Sequence, residues 1–129
     1  MVDNVQTGID PTRDGSKPLV QELADVDDLD VHPGEPMATH TTFGIGGPVT
    51  AWVDAPTSQA LATVLKLSRR HATPVMVLGG GSNVLFDDQA MDLVVVHPVG
   101  RLASMQWHDD CTVTVGAGCP LVALMNDFR

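Results

Sequence analysis

From residue 37 onward the chain alternates short apolar runs with glycine- and proline-marked breaks. Thr50 to Asp54 alternates with the period of a strand, and Gly46-Gly47-Pro48 supplies a turn ahead of it. Between residues 57 and 71 the spacing becomes helical. Thr57 or Ser58 can cap the start, Leu61, Val64, Leu65 and Ser68 share a face, and Arg69, Arg70 and His71 come late, where the helix dipole favours cations. After Pro74, residues 75–78 read "VMVL", a continuous apolar run expected to be a strand buried on both faces. Strand, helix and strand in this order predict a βαβ crossover, right-handed by default. "DLVVVHP" predicts another buried strand. "SMQWHDD" and "CTVTVGAG" predict a hairpin turning near Asp109-Asp110. "PLVALMNDF" starts a helix with Pro120 at a favourable first position. That helix is two turns long when the chain reaches Arg129, so the domain is expected to be incomplete there.

Residues 1–36 read differently. They are rich in Asp, Gly and Pro with little periodic apolar pattern, and are expected to be mostly a disordered, solvated tail. Within them "KPLVQELADVDDLDV" could form a short helix on Leu19, Glu22, Leu23 and Val26. The predicted organisation is this tail followed by one domain over residues 37–129. No internal repeat is present.

Composition sharpens this picture. Aromatics make up 4% of the 129 residues and tyrosine is absent, so the core must be aliphatic. The net charge of −9 argues against partners that need clustered Lys and Arg, namely nucleic acid and anionic membrane surfaces. Nine of the sixteen acids fall in residues 1–36, so the remainder is nearly neutral. No window is apolar for long enough to span a bilayer. The start "MVDNVQTGID" lacks the basic and apolar regions of a secretory signal, and two cysteines without such a signal suggest free thiols in a reducing cytoplasm.

The candidate chemistry sits at residues 74–86, "PVMVLGGGSNVLF". Gly79-Gly80-Gly81-Ser82-Asn83 follows a predicted strand at its carboxyl edge, where ligands bind in α/β sheets. Glycines expose backbone N–H groups with no Cβ in the way, and such a nest binds anions, phosphate above all. The loop is neither the dinucleotide fingerprint nor a P-loop, since the third glycine does not fall at the right place and there is no Gly-Lys-Ser/Thr. A tight structural turn is the alternative reading of these residues.

The wider text resembles one family. "HTTFGIGGP" at 40–48, the strand–helix that follows, "PVMVLGGGSNVLF", "LVVVHP" and "VTVGAGCPLVAL" are similar in order and spacing to the N-terminal part of UDP-N-acetylenolpyruvoylglucosamine reductases (UDP-N-acetylmuramate dehydrogenases) of peptidoglycan synthesis. The likeness covers roughly residues 36–129. It implies an α+β FAD-binding domain of the vanillyl-alcohol-oxidase (PCMH) type, with a small parallel βαβ sheet and the start of a mainly antiparallel one. It further implies that Gly79, Gly80, Gly81, Ser82 and Asn83 cradle the FAD pyrophosphate, with Val77 and Leu78 lining the approach. The implied reaction is NADPH-driven, FAD-dependent reduction of the enolpyruvyl double bond of a UDP-sugar. The family's proton-donating serine, its glutamate, its substrate-polarising arginine and its substrate-binding domain would all lie beyond Arg129, so no catalytic residue is nominated and the chain alone is expected to be inactive. The sequence departs from common family usage at Gly44, where many members carry a basic residue. The rival readings are a non-catalytic FAD- or nucleotide-binding module and another oxidoreductase of the same flavin fold.

The remaining residues read more plainly. Cys111 and Cys119 lack metal-ligand spacing and are expected to be buried, inert thiols. His32, His40, His71, His97 and His108 form no paired motif and are expected on the surface or hydrogen-bonded in loops, and no metal site is expected. Asp87-Asp88 suggests a solvated turn. Thr41 and Thr42 suggest loop-ordering hydroxyls, and Gly116-Ala117-Gly118 either a structural turn or a second approach to the flavin.

Overall fold

A computed structural model describes residues 16–109 and 111–127. Its order is α1 (Ser16–Ala24), β1 (Asp30–Pro33), β2 (Val49–Ala55), α2 (Ser58–Arg70), β3 (Val75–Val77), β4 (Met91–Pro98), β5 (Met105–Asp109), β6 (Thr112–Val115) and α3 (Leu121–Asp127), with short 3₁₀ turns at Met37–His40 and Gly100–Ala103. A four-stranded sheet runs β1-β2-β4-β3, and β5 and β6 form a separate antiparallel hairpin. β4 lies parallel to both β2 and β3, and β1 is antiparallel to β2.

The centre of the sheet is the triple valine of β4. Val94, Val95 and Val96 are fully buried. Val94 and Val96 face one layer with Ala51, Val53 and Ala55 of β2, Ala60 and Val64 of α2, and Leu19 and Leu23 of α1. Val95 faces the other with Met37, Val49, Trp52, Leu78 and Phe86. A register irregularity between Val49 and Ala51 turns Val49 onto that second face. α2 starts where the hydroxyl of Thr57 accepts the Ala60 N–H at 3.1 Å and ends with Arg69 and Arg70 in its last turn.

Three expectations change. Residues 1–36 are not simply a solvated tail. Leu19 and Leu23, one helical turn apart, are fully buried beneath α2, and β1 pairs with β2 from Asp30↔Asp54 to Pro33↔Ala51. Low average hydropathy hid a narrow stripe, which is all that a helix on an existing core needs. Glu22 adds an ion pair to Arg70 of α2 and a 3.1 Å contact to His71, which caps that helix. Residues 1–15 lie outside the described part. Next, the run 75–78 is not a doubly buried strand. β4 inserts between β2 and β3, leaving β3 at the edge with Val77 52% exposed. Finally, the buried face of α2 is Ala60, Val64 and Ser68, while Leu65 is exposed.

The hairpin and α3 form a lighter second part. Trp107 Nε1 donates to Asp127 Oδ2 at 2.6 Å, tying α3 to β5. α3 has no buried residue, and Leu121, Val122 and Met125 are exposed. Cys111 is exposed and Cys119 half-buried, so neither is the enclosed thiol expected. The reason is local: Cys111 follows the β5–β6 turn, where its N–H donates to Asp109 Oδ1 at 2.8 Å. That bond, with help from Thr112, holds the Asp109 carboxyl below the usual carboxylate range.

If α1 is part of the core, Leu23→Ala leaves a cavity and costs about 2–5 kcal/mol in equilibrium urea unfolding. A change near zero would return residues 16–24 to the status of a solvated extension.

Candidate FAD-binding cleft

Two loops and two strands meet at a cleft of about 320 Å³. Residues 39–42 contribute from the 3₁₀ turn and the segment after it, Gly79 and Gly80 from the loop after β3, Trp52 from β2 and His97 from β4. Adjacent parallel strands bring Trp52 and Val95 into register, and Asp54 and His97 after them. Trp52 and His97 therefore share the sheet face opposite α1 and α2.

The glycine loop divides into two kinds of residue. An added Cβ at Gly79 or Gly80 would meet nothing within 4 Å, so these positions open onto the cleft. Gly81 is different. Its φ is +64°, and a Cβ there would lie 1.9 Å from the carbonyl oxygen of His40. Only glycine allows this backbone crossing, and the Thr42 N–H seals it by donating to the Gly81 carbonyl at 3.1 Å. Gly47 plays a matching part below. It donates to Asp87 O at 2.7 Å, and an added Cβ would strike Asp88 O at 2.3 Å. Residues 40–47 are thus held at both ends by the segment 81–88.

Among the described residues none accepts a hydrogen bond from the backbone N–H of Gly79, Gly80, Gly81, Ser82 or Asn83. Four of the five residues are exposed, so water can reach their donors, and those of Gly79 and Gly80 stand at the cleft, available to an acceptor from outside the chain. Two glycines facing open space, with a run of free N–H groups, suit the bulk and charge of a phosphate group.

The expected site residues are therefore placed unequally. Gly79 and Gly80 line the cleft. Gly81 is buried and shapes the loop, Ser82 and Asn83 are exposed beyond the lining, and Val77 is exposed on the edge strand. Leu78 points its side chain into the core while its carbonyl accepts a hydrogen bond from His97 Nδ1 at 2.9 Å.

Sequence reasoning passed over Trp52 and placed His40 and His97 among surface or loop histidines, whereas His97 lies on β4 and both rings line the cleft. The His40 ring stacks on Trp52 with centroids 3.7 Å apart and planes 16° from parallel, and His97 lies tilted against the same indole at 5.1 Å. His40 Nε2 donates to Glu35 at 2.9 Å and Trp52 Nε1 to Asp54 at 3.0 Å. Scattered histidines without a motif carry no linear signal. The available clue for His97 was its place at the carboxyl end of a parallel strand. Thr41 does order its loop, through Ile45 O at 3.1 Å, and it also lines the cleft with Thr42.

Two other clusters lie apart from this lining. Gly116 and Gly118 press on the carbonyls of Leu102 and Pro98, so the Gly116-Ala117-Gly118 turn is dictated by backbone packing. Asp30, His32 and Asp54 bring donor atoms within 4.8 Å of one another on β1 and β2. Within this group His32 contacts Asp30 at 3.3 Å and the Trp52 N–H donates to Asp54.

Residues 37–127 match the FAD binding domain family, and the chain belongs to it. Curated relatives include UDP-N-acetylenolpyruvoylglucosamine reductases of Heliobacterium modesticaldum, 40% identical over 90 residues covering 70% of this chain and 28% of that protein, and of Bacillus velezensis, 34% identical over 106 residues covering 82% and 35%. The crystal structure of the Thermus caldophilus reductase matches with a TM-score of 0.55 and 27% identity, over 77% of this chain and 32% of that one. The chain thus spans about a third of the length of these relatives. The α+β architecture, parallel around β4 and antiparallel in the hairpin, is that of an FAD-binding domain, and FAD is its cofactor.

Gly81→Ala should lower stability by about 1–3 kcal/mol in thermal or denaturant unfolding, since it strains φ and drives a Cβ into the His40 carbonyl. Gly79→Ala should leave stability unchanged. Equal effects from the two would contradict the division of the loop.

Proposed function

We propose that this chain forms the FAD-holding N-terminal part of a UDP-N-acetylenolpyruvoylglucosamine reductase. The observation that carries the reading is the run of free backbone N–H groups from Gly79 to Asn83, beside a cleft onto which Gly79 and Gly80 open. In this reading those N–H groups hold the FAD pyrophosphate. Gly81 fixes the loop against residues 40–42. Ser82 and Asn83 stand at its outer end with exposed polar side chains. Leu78 anchors the strand end in the core, and Val77 flanks the approach from the edge strand.

Cradling of this kind costs little reorganisation. The loop is pinned before the ligand arrives, and each N–H exchanges a water for a charged acceptor. The indole and imidazole rings beside it form a flat wall that excludes water from one side of the anion. FAD, when bound, supplies the hydride chemistry between NADPH and the enolpyruvyl double bond of the UDP-sugar, and the protein contributes position and polar contacts. NADPH as reductant, a role in cell-wall and cell-division chemistry and a cytoplasmic setting follow from the same reading. Among the described residues no helix is long and apolar enough to cross a membrane. No residue of this chain is assigned to proton delivery.

The test is cofactor binding followed by turnover. The full native protein should take up FAD with quenching of flavin fluorescence, and oxidise NADPH when given the UDP-enolpyruvyl sugar. Gly80→Val, which places a branched side chain in the cleft, should abolish FAD binding while the circular dichroism spectrum stays unchanged. Undiminished FAD affinity in that variant would remove the loop from the site.

A further inference from the structure

Among the described residues, neither lysine nor arginine lines the cleft onto which the glycine loop opens. Lys66, Arg69 and Arg70 lie on α2, which packs on the other face of the sheet. Among the described residues, the lining groups able to carry positive charge are His40 and His97. They are not equivalent. His40 donates a hydrogen bond from Nε2–H to the Glu35 carboxylate, so any charge it gains is already matched. His97 bonds through Nδ1 to the carbonyl of Leu78, and a carbonyl can only accept. The proton is therefore on Nδ1, and Nε2 is the nitrogen that gains or loses a proton. The Leu78 carbonyl belongs to the residue just before Gly79, so the same bond fixes the ring relative to the loop.

We propose that His97 is the cationic anchor of the cleft: protonated at Nε2, it pairs with the FAD pyrophosphate held by the glycine loop. This rests on the flavin reading above. The groups around His97 fit the role. Asp54 is its register partner on β2, with the carboxylate engaged by Trp52 Nε1. Asp30 and His32 follow on β1, His40 and Glu35 lie across the indole, and neighbouring Met76 and Leu78 are apolar. The nearest strand thus brings a carboxylate and no competing cation. The sign follows directly. FAD keeps its charge across about pH 5.5 to 8, and it binds better to the protonated ring. Affinity is therefore greatest at low pH and falls as the imidazole loses its proton.

The experiment measures FAD dissociation constants by fluorescence quenching from about pH 5.5 to about pH 8 for the full native protein, His97→Gln and His40→Gln, with the imidazole ¹⁵N shifts of the unmodified protein followed during FAD titration. Native protein should lose about tenfold in affinity across this range, the worth of one charge-assisted contact. His97→Gln, which can still donate to Leu78 but cannot be charged, should show a flat profile at the weaker level. His40→Gln should keep the slope. FAD should move the His97 Nε2 signal towards the imidazolium position near neutral pH. FAD binding with the same slope in His97→Gln, or with no pH dependence, would overturn the role of His97 and leave the flavin reading intact. Absence of FAD binding at every pH would overturn both. Should His97→Gln misfold, the ¹⁵N shifts decide: a His97 signal unmoved at saturating FAD refutes the proposal.

Discussion

The contact between Gly81 and the carbonyl of His40 holds the cleft together. A backbone crossing this close admits no side chain, and it is made once, between segments forty residues apart in the chain. It sets where residues 39–42 stand relative to Gly79 and Gly80, and hence the width of the space between them. The matching closure at Gly47 against residues 87 and 88 prevents the two segments from sliding. Glycine thus does two jobs in one short loop. At Gly81 it permits contact with the protein, while at Gly79 and Gly80 it leaves room for something else.

The sheet supplies the rigid base for this arrangement. Val94, Val95 and Val96 are buried on both faces, so β4 cannot shift without opening two core layers at once. His97 is the next residue, at the point where the strand leaves that environment. Its position is inherited from the most constrained part of the fold, which explains how an imidazole can be held by a single bond to Leu78 and a ring contact with Trp52.

Much of the architecture was readable from the pattern of residues. The Thr57 cap, the strand at 50–54, the doubly buried "VVV" and the hairpin around residue 110 each follow from local chemistry that tertiary contacts did not override. The glycine loop was readable because its free donors are a property of the backbone itself. What stayed hidden was relational. β3 is an edge strand because β4, later in the chain, takes the central place, and nothing within "VMVL" announces that. The order in residues 16–33 depends on a groove between β2 and α2 that α1 alone does not encode. His40, Trp52 and His97 meet through three different elements, so their stacking has no counterpart in linear spacing.

The burial of Leu19 and Leu23 also sets the contact range of the fold. These side chains share one layer with Ala51, Val53, Ala60, Val64, Val94 and Val96, so completing that layer joins segments more than seventy residues apart in the chain. Contacts of such wide separation cost loop-closure entropy before they contribute stability, which slows folding relative to a fold built from local contacts.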